Sequence, residues 1–437
     1  MIVVAAQLGT ALLAQAAAPA PEDVISYRIR KGDTLDALSR AYLVSGRDWR
    51  QLQRLVKVRD PRRLPAERSL AIPRSWLRYR IEPARLASYR GMVRITAEGR
   101  SLPLAAGSEI GEGAEIATGA NSFVTLMLAD RSKVVIPSQS RVRVRELRRI
   151  LLTGAIEYRI EVQAGRLETK VTPVGDPSGR YRISTPISMT AVRGTEFRIA
   201  YPEGSPAAAT EVLDGKVAVS APQGSGETLV DRGFGATTSA AGDSRIAALL
   251  AAPELADPGQ IQTRDEVSFK ALPLAAAARY RLVLAADAGF VENLAEQSSD
   301  AGLFSFADIP NGTLFARISA IGADGLEGLA QTYSFRRQLA SIHAEVGQSA
   351  DGFRFRWFGA GEGQRRYRFQ LYRGPGEGRP LIDEVGLTED SLTLRSLPPG
   401  VYSWRVGLAQ NADGEDIESW TDFEELTVSA PARPRKR

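Results

Sequence analysis

The 437-residue sequence contains no cysteine and a single histidine. Without a thiol it forms no disulfide and offers no thiolate nucleophile, and one imidazole cannot supply the histidine pair that most zinc sites use. Cysteine-free chains occur in oxidising and reducing compartments alike. There is no G-x-S-x-G elbow, no Walker loop and no dinucleotide fingerprint. After residue 20 no long apolar run follows, so no later segment is expected to anchor the chain in a bilayer. His343 falls in a linker or first strand and reads as a surface side chain. Asp413 and Glu415 are the nearest thing to a glycosidase carboxylate pair, but they sit in a turn. The expectation is a non-enzymatic protein with no metal and no cofactor.

What is abundant is turn chemistry. Forty Gly and 24 Pro are spread along the chain, which suits many short strands and a mainly β, multidomain protein. The net charge of +5 is unevenly distributed: between Arg28 and Arg80, fifteen Arg or Lys stand against five acids. Such a module is either drawn to an anionic polymer or simply carries solvated helical faces. Residues 1–20, MIVVAAQLGTALLAQAAAPA, are apolar, end in small residues and offer Ala14-Gln15-Ala16 and Ala16-Ala17-Ala18 as cleavage sites. They read as a cleaved export signal peptide, although no Lys or Arg precedes Arg28.

From Tyr27 a strand, a Lys31-Gly32-Asp33 turn, two helical periods (Leu35, Leu38, Tyr42 and Trp49, Leu52, Val56) and the strand Ser69–Pro73 follow in order. Asp33 or Thr34 is placed to cap the first helix; Pro61 and Pro65 break the second. This β-α-α-β order, with Gly32-Asp33-Thr34-Leu35 after the first strand and Leu70-Ala71-Ile72-Pro73 at the end, resembles the LysM module. The resemblance assigns residues 24–78 to a glycan-binding domain and implies peptidoglycan, with its N-acetylglucosamine backbone, as partner. Its binding loops, carried onto this chain, are Gly32, Asp33, Thr34 and Leu35, and the segment Arg59 to Leu64 with Asp60, Pro61 and Arg62. The chain departs from the family at Val56, where Asn is usual, and at Ala66-Glu67, near the usual Pro-Gly turn. A sugar-binding module behind an export signal speaks against nucleic acid as a partner.

Residues 83–240 alternate with period two and suggest no helix between Val93 and Val219. In Arg141-Val142-Arg143-Val144-Arg145 the valines face a core and the arginines face either solvent or an acidic partner. Pro186 suits the first residue of a strand that runs from Ile187, and Gly194 a bend at which Arg193 donates to main-chain carbonyls. Asp214-Gly215 reads as a two-residue hairpin turn. Thr185-Pro186 and Val192-Arg193-Gly194-Thr195-Glu196-Phe197 together are similar to the signature of the FecR domain. The likeness extends to Thr118–Ser122, Leu126–Ser132, Gly165-Arg166-Leu167 and Glu211–Val217. It implies that Thr185, Pro186, Val192, Arg193, Gly194, Thr195 and Phe197 are structural positions of an envelope module. Regulators of that family also carry a cytoplasmic anti-sigma segment and a transmembrane helix, neither of which is present in this sequence.

Beyond Pro253 the chain repeats itself. Arg279-Tyr280-Arg281 recurs as Arg366-Tyr367-Arg368, Ile309-Pro310-Asn311-Gly312 as Leu397-Pro398-Pro399-Gly400, and Ala323-Asp324-Gly325 as Ala412-Asp413-Gly414. Two immunoglobulin-like or fibronectin type III-like sandwiches, 253–337 and 338–429, are expected, followed by a disordered basic tail, 430–437. Tyr402, Trp404 and Val406 fill one inner face, and Trp404 and Trp420 are read as core aromatics in preference to sugar-stacking ones. The reading is a periplasmic or envelope protein that binds peptidoglycan and presents the FecR-like domain to a ligand or an envelope or membrane protein. The alternative is a signalling receptor whose FecR-like domain relays ligand state to a separate membrane partner.

Overall fold

The computed structural model describes residues 23–173, 178–222, 226–349, 351–412 and 415–429. The expected signal peptide and tail, and Asp413 and Gly414, lie outside these residues. The described residues divide into two compact units: those of 23–82, 146–159 and 178–181 form one, and the remaining described residues the other.

The first unit is built on the antiparallel pair Val24–Arg28 and Ser69–Pro73, which carries the helices Leu35–Tyr42 and Trp49–Val56. Thr34 caps the first helix by accepting from the Ala37 amide. Asp48 and Gln51 close a capping box on the second, satisfying two amides that a helix start leaves open. That helix ends at Lys57, in the left-handed conformation, before either proline is reached. Ile25, Tyr27, Leu35, Leu38, Leu52, Leu70 and Ile72 form the core. Ile150, Leu152 and Ala155 complete it, from a turn about 80 residues further along the chain that no local pattern ties to this module.

In the second unit, the described residues of 83–145, 160–173 and 182–248 fold as antiparallel strands that pass repeatedly between two sheets. One sheet runs, in register order, Glu109–Ile110, Ala84–Arg90, Phe123–Met127, Lys133–Ile136, the end of Ile156–Lys170, Glu196–Tyr201, Ala207–Asp214, Phe234–Ser239 and Ser244–Ala248. The other contains Arg100–Ser101, Val93–Ala97, Glu115–Thr118 and the start of Arg141–Ile150. It also contains Met189–Val192, Lys216–Ser220 and Glu227–Asp231. Asp214-Gly215 is therefore not a hairpin turn. Ala207–Asp214 pairs in the first sheet and Lys216–Ser220 in the second, so Gly215 is the corner where one strand changes sheets. The strand expected from Ile187 begins at Met189. Pro186 lies in a turn closed by Thr185, whose Oγ1 accepts from the Ser188 amide at 2.9 Å.

The two repeats share one strand order. In the first, Asn293–Ser299, Ala277–Ala285, Gly312–Gly322 and Glu327–Arg337 form a sheet opposite the pair Val267–Lys270 and Leu303–Phe306. In the second, Ile382–Leu387, Gln364–Arg373, Gly400–Ala412 and Glu415–Trp420 repeat that order, opposite Ile342–Ser349, Gly352–Gly359 and Ser391–Leu394. Each has its own apolar core. Tyr402, Trp404 and Val406 are fully buried in the second, which closes Trp404 to any ligand. Trp420 lies outside that core, on the outer face of the sheet, under the Arg405 guanidinium. His343 is exposed and pairs with Asp265 at 2.5 Å.

Candidate glycan-binding loops and corner motif

The loop Gly32–Leu35 and the segment Arg59–Leu64 lie side by side, because the Leu35 amide donates to the Pro61 carbonyl at 2.9 Å. Each loop is braced from within. Gly32 takes a φ of +96°, which a glycine adopts without strain. Asp33 Oδ2 accepts from the Tyr27 hydroxyl at 2.8 Å and from the Arg30 amide at 2.7 Å. Burial, and then the adjoining Asp33, push the Tyr27 phenol up to about 12, so this hydroxyl stays a donor at any physiological pH. Asp60 Oδ1 accepts from the Arg62 amide at 2.9 Å, and Gln53 Nε2 donates to the Val58 carbonyl at 3.0 Å. Gly32, Asp60 and Arg62 are exposed, and Asp33, Thr34 and Pro61 partly so. Leu35 is fully buried, so within the proposed set it supports the loops from beneath and offers a ligand no side chain.

The basic excess of this module is partly spent internally. Arg74 is nearly buried and joins Glu157 at 2.6 Å, Asp23 at 3.2 Å and the Ser178 carbonyl. Arg47 and Arg50 lie over the rings of Trp76 and Trp49. Arg59, Arg62 and Arg63 are exposed and belong to no ion pair among the described residues.

The Val192–Phe197 and Glu211–Val217 stretches meet at one place. Gly194 has φ +62°, and a Cβ there would lie 2.8 Å from Pro173 Cα. A Cβ on Gly215 would lie 3.2 Å from the Gly194 carbonyl oxygen and from Thr195. Thr195 Oγ1 sits between them, 3.1 Å from the Lys216 carbonyl oxygen and 3.4 Å from that of Arg193. Two strands thus change sheets at adjacent glycines, with the hydroxyl as the tie. Val192 and Phe197 are buried on either side, whereas the Arg193 side chain is exposed. The same device recurs at Gly91, whose Cβ would meet Ser122 Oγ at 2.4 Å, and at Gly165, whose Cβ would meet the Gln139 carbonyl at 2.5 Å. The expected arginine row is paired along its strand: Arg141 with Glu203, Arg143 with Glu115 and Arg145 with Glu161.

A buried charge cluster, with no counterpart in the sequence reading, joins this domain to the first repeat. Glu327 receives Arg198 at 2.7 Å, Arg281 at 3.3 Å, Arg166 and the Ser319 hydroxyl. Glu168 bridges Arg281 at 2.8 Å and Arg317 at 2.6 Å, and Glu296 takes Arg281 from the other side at 2.6 Å. Burial would raise the carboxyl of Glu327, yet the surrounding guanidinium groups hold it well below the usual range. They hold Glu168 at about 2. Glu211 goes the other way, to about 7, because burial dominates. Although Arg198 lies 3.9 Å away, its guanidinium is engaged by Glu327 and by the Glu327 and Gly328 carbonyls. The only signal in the sequence was charge at positions flanked by apolar ones, as in RYRLVL and GLEGLA.

The family comparisons fall on these two structures. Residues 27–73 match the model of the LysM domain, and residues 114–218 match that of the FecR protein. No curated protein matches the chain. Among solved structures, a candidate anti-sigma factor from Parabacteroides distasonis is 17% identical over 31% of this chain, at a TM-score of 0.26. The matched region spans 59% of that protein's length. The FN1–FN3 domains of chicken CNTN1 are 13% identical, covering 66% of this chain and 97% of theirs, at 0.21. At such scores these likenesses decide nothing about architecture. None of the helices among the described residues is long and apolar enough to cross a membrane.

Proposed function

We propose that this is a non-enzymatic cell-envelope protein that binds peptidoglycan through the paired loops of its N-terminal module and presents its FecR-like domain to a ligand or protein. The observation that carries this reading is the Leu35–Pro61 backbone bond, which apposes two braced loops whose exposed groups include Gly32, Asp60 and Arg62. Short polar groups and main-chain amides on apposed loops hydrogen-bond acetamido sugars without a catalytic group. The two repeats, which share one strand order, are read as fibronectin type III-like sandwiches that offer further docking faces. Isothermal titration of the full chain with N-acetylglucosamine oligomers tests the reading. Saturable heat with the acetylated oligomer, absent with its de-acetylated form and reduced in Asp60→Ala/Arg62→Ala, is expected. No heat with the acetylated oligomer would refute it.

A further inference from the structure

The first repeat uses the outer face of its four-stranded sheet to grip the FecR-like domain, and the second repeat carries the same charges on the same face, where among the described residues they pair with no other domain and lie against that repeat's own Trp420 and Phe423. The equivalence is positional. Val283 pairs with Glu296 and Arg317 just as Gln370 pairs with Asp383 and Arg405. Arg281 and Arg368 occupy the same place in the repeated Arg-Tyr-Arg. Glu327 is opposite Ile321 as Glu418 is opposite Ala409. Even the internal ion pair recurs, Arg281 with Glu296 at 2.6 Å and Arg368 with Asp383 at 2.7 Å.

Exposure separates the two faces. The side chains of Arg281 and Glu296 are 6% and 15% exposed, those of Arg368 and Asp383 38% and 30%. In the first repeat the Glu168 carboxylate of the FecR-like domain fills the space between Arg281 and Arg317. In the second, Arg368 and Arg405 belong to no ion pair with another domain among the described residues. Arg405 is held ready: its Nε donates to Gln370 at 2.9 Å, and its guanidinium carbon lies 4.3 Å from the Trp420 ring centre and 4.6 Å from that of Phe423. Leu381, Val385, Val401 and Phe423 supply exposed apolar surface in the same repeat. A fixed guanidinium pair with apolar surroundings recognises a carboxylate on a protein surface.

We infer that the outer face of the second repeat docks a partner protein through an acidic side chain on a β-sheet, which enters between Arg368 and Arg405 as Glu168 enters between Arg281 and Arg317. Arg366, exposed beside Arg368, adds to the positive field. The probe is the full chain carrying a photo-crosslinking phenylalanine analogue at Val385, expressed in the native host. Expected is a single adduct whose partner peptide maps to a strand bearing Asp or Glu, and whose yield falls by about tenfold or more in Arg405→Glu. Arg366→Glu, at an exposed position where folding is undisturbed, lowers the yield less but measurably. Replacing the mapped acid of the partner by Lys removes the adduct from the parent chain and restores it to Arg405→Glu. An adduct to a second copy of this chain, an adduct indifferent to both charge reversals, or none at all would overturn the inference.

Discussion

Substituting Glu211 by Gln is expected to make the protein more stable at neutral and alkaline pH. Glu211 is 1% exposed, accepts from the Glu327 amide at 3.3 Å and faces Arg198, Arg166 and the Glu327 carboxylate. Its folded-state value is about 7 against 4.5 for the free group. A raised acid binds its proton more tightly when folded, so stability is greatest below pH 4.5 and is lost as pH climbs towards 7. The shift corresponds to a loss of about 3 kcal/mol, complete above pH 7. Gln keeps the amide acceptor and the shape but carries no charge, so Glu211→Gln removes this slope. Urea denaturation of parent and variant from pH 5 to pH 8 measures it, with the stability difference moving by about 2.5 kcal/mol in favour of Gln across that range, the rest being lost below pH 5. A difference that stays constant with pH would show that Glu211 is ionised throughout and refute the argument.

Three further outcomes follow from the packing. Gly194→Ala, which forces a Cβ onto Pro173 at positive φ, is expected to lower stability by about 2 kcal/mol or more; Gly233→Ala, with open space around it, costs less, and thermal melts compare the two. Leu152→Ala removes a buried side chain from the core of the N-terminal module and costs about 2–5 kcal/mol, read as faster proteolysis within residues 24–78. Asp33→Ala removes the partner of the partly buried Tyr27 hydroxyl and returns the exposed Arg30 amide to water, costing about 1 kcal/mol. Titration of the Tyr27 phenol followed by ultraviolet absorbance then moves down from about 12.

The helices of the N-terminal module are legible because capping and periodicity act within a few residues: Thr34 starts the first, and Leu38 and Leu52 face inward. Its dependence on Ile150 and Leu152 was not, since nothing local distinguishes a turn that packs on a distant module from one that faces water. Alternation located the central strands but misassigned a turn. Asp214-Gly215 has hairpin composition, yet what Gly215 supplies is a close approach to Gly194 and Thr195, and a corner and a hairpin ask the same of one residue. Around Thr190 the polar residues of the alternation face inward, where Thr190 Oγ1 meets Thr210 Oγ1 at 3.3 Å, so polarity did not mark the solvent side. Asp33, Asp60 and Thr34 were picked out as loop residues, but their internal bonds show that much of their polarity fixes the loop's own shape. The interdomain charges are not legible locally, because a buried Arg281 and a half-buried Arg368 stand in the same tripeptide.

Co-sedimentation of the purified full chain with peptidoglycan sacculi, repeated as salt is raised, tests glycan recognition most directly. Retention that persists past moderate salt and is reduced in Asp60→Ala/Arg62→Ala is the predicted result, because hydrogen bonds to sugar are screened far less than charge. Retention that disappears as soon as salt screens the arginines, or that the loop variant leaves unchanged, would contradict the account.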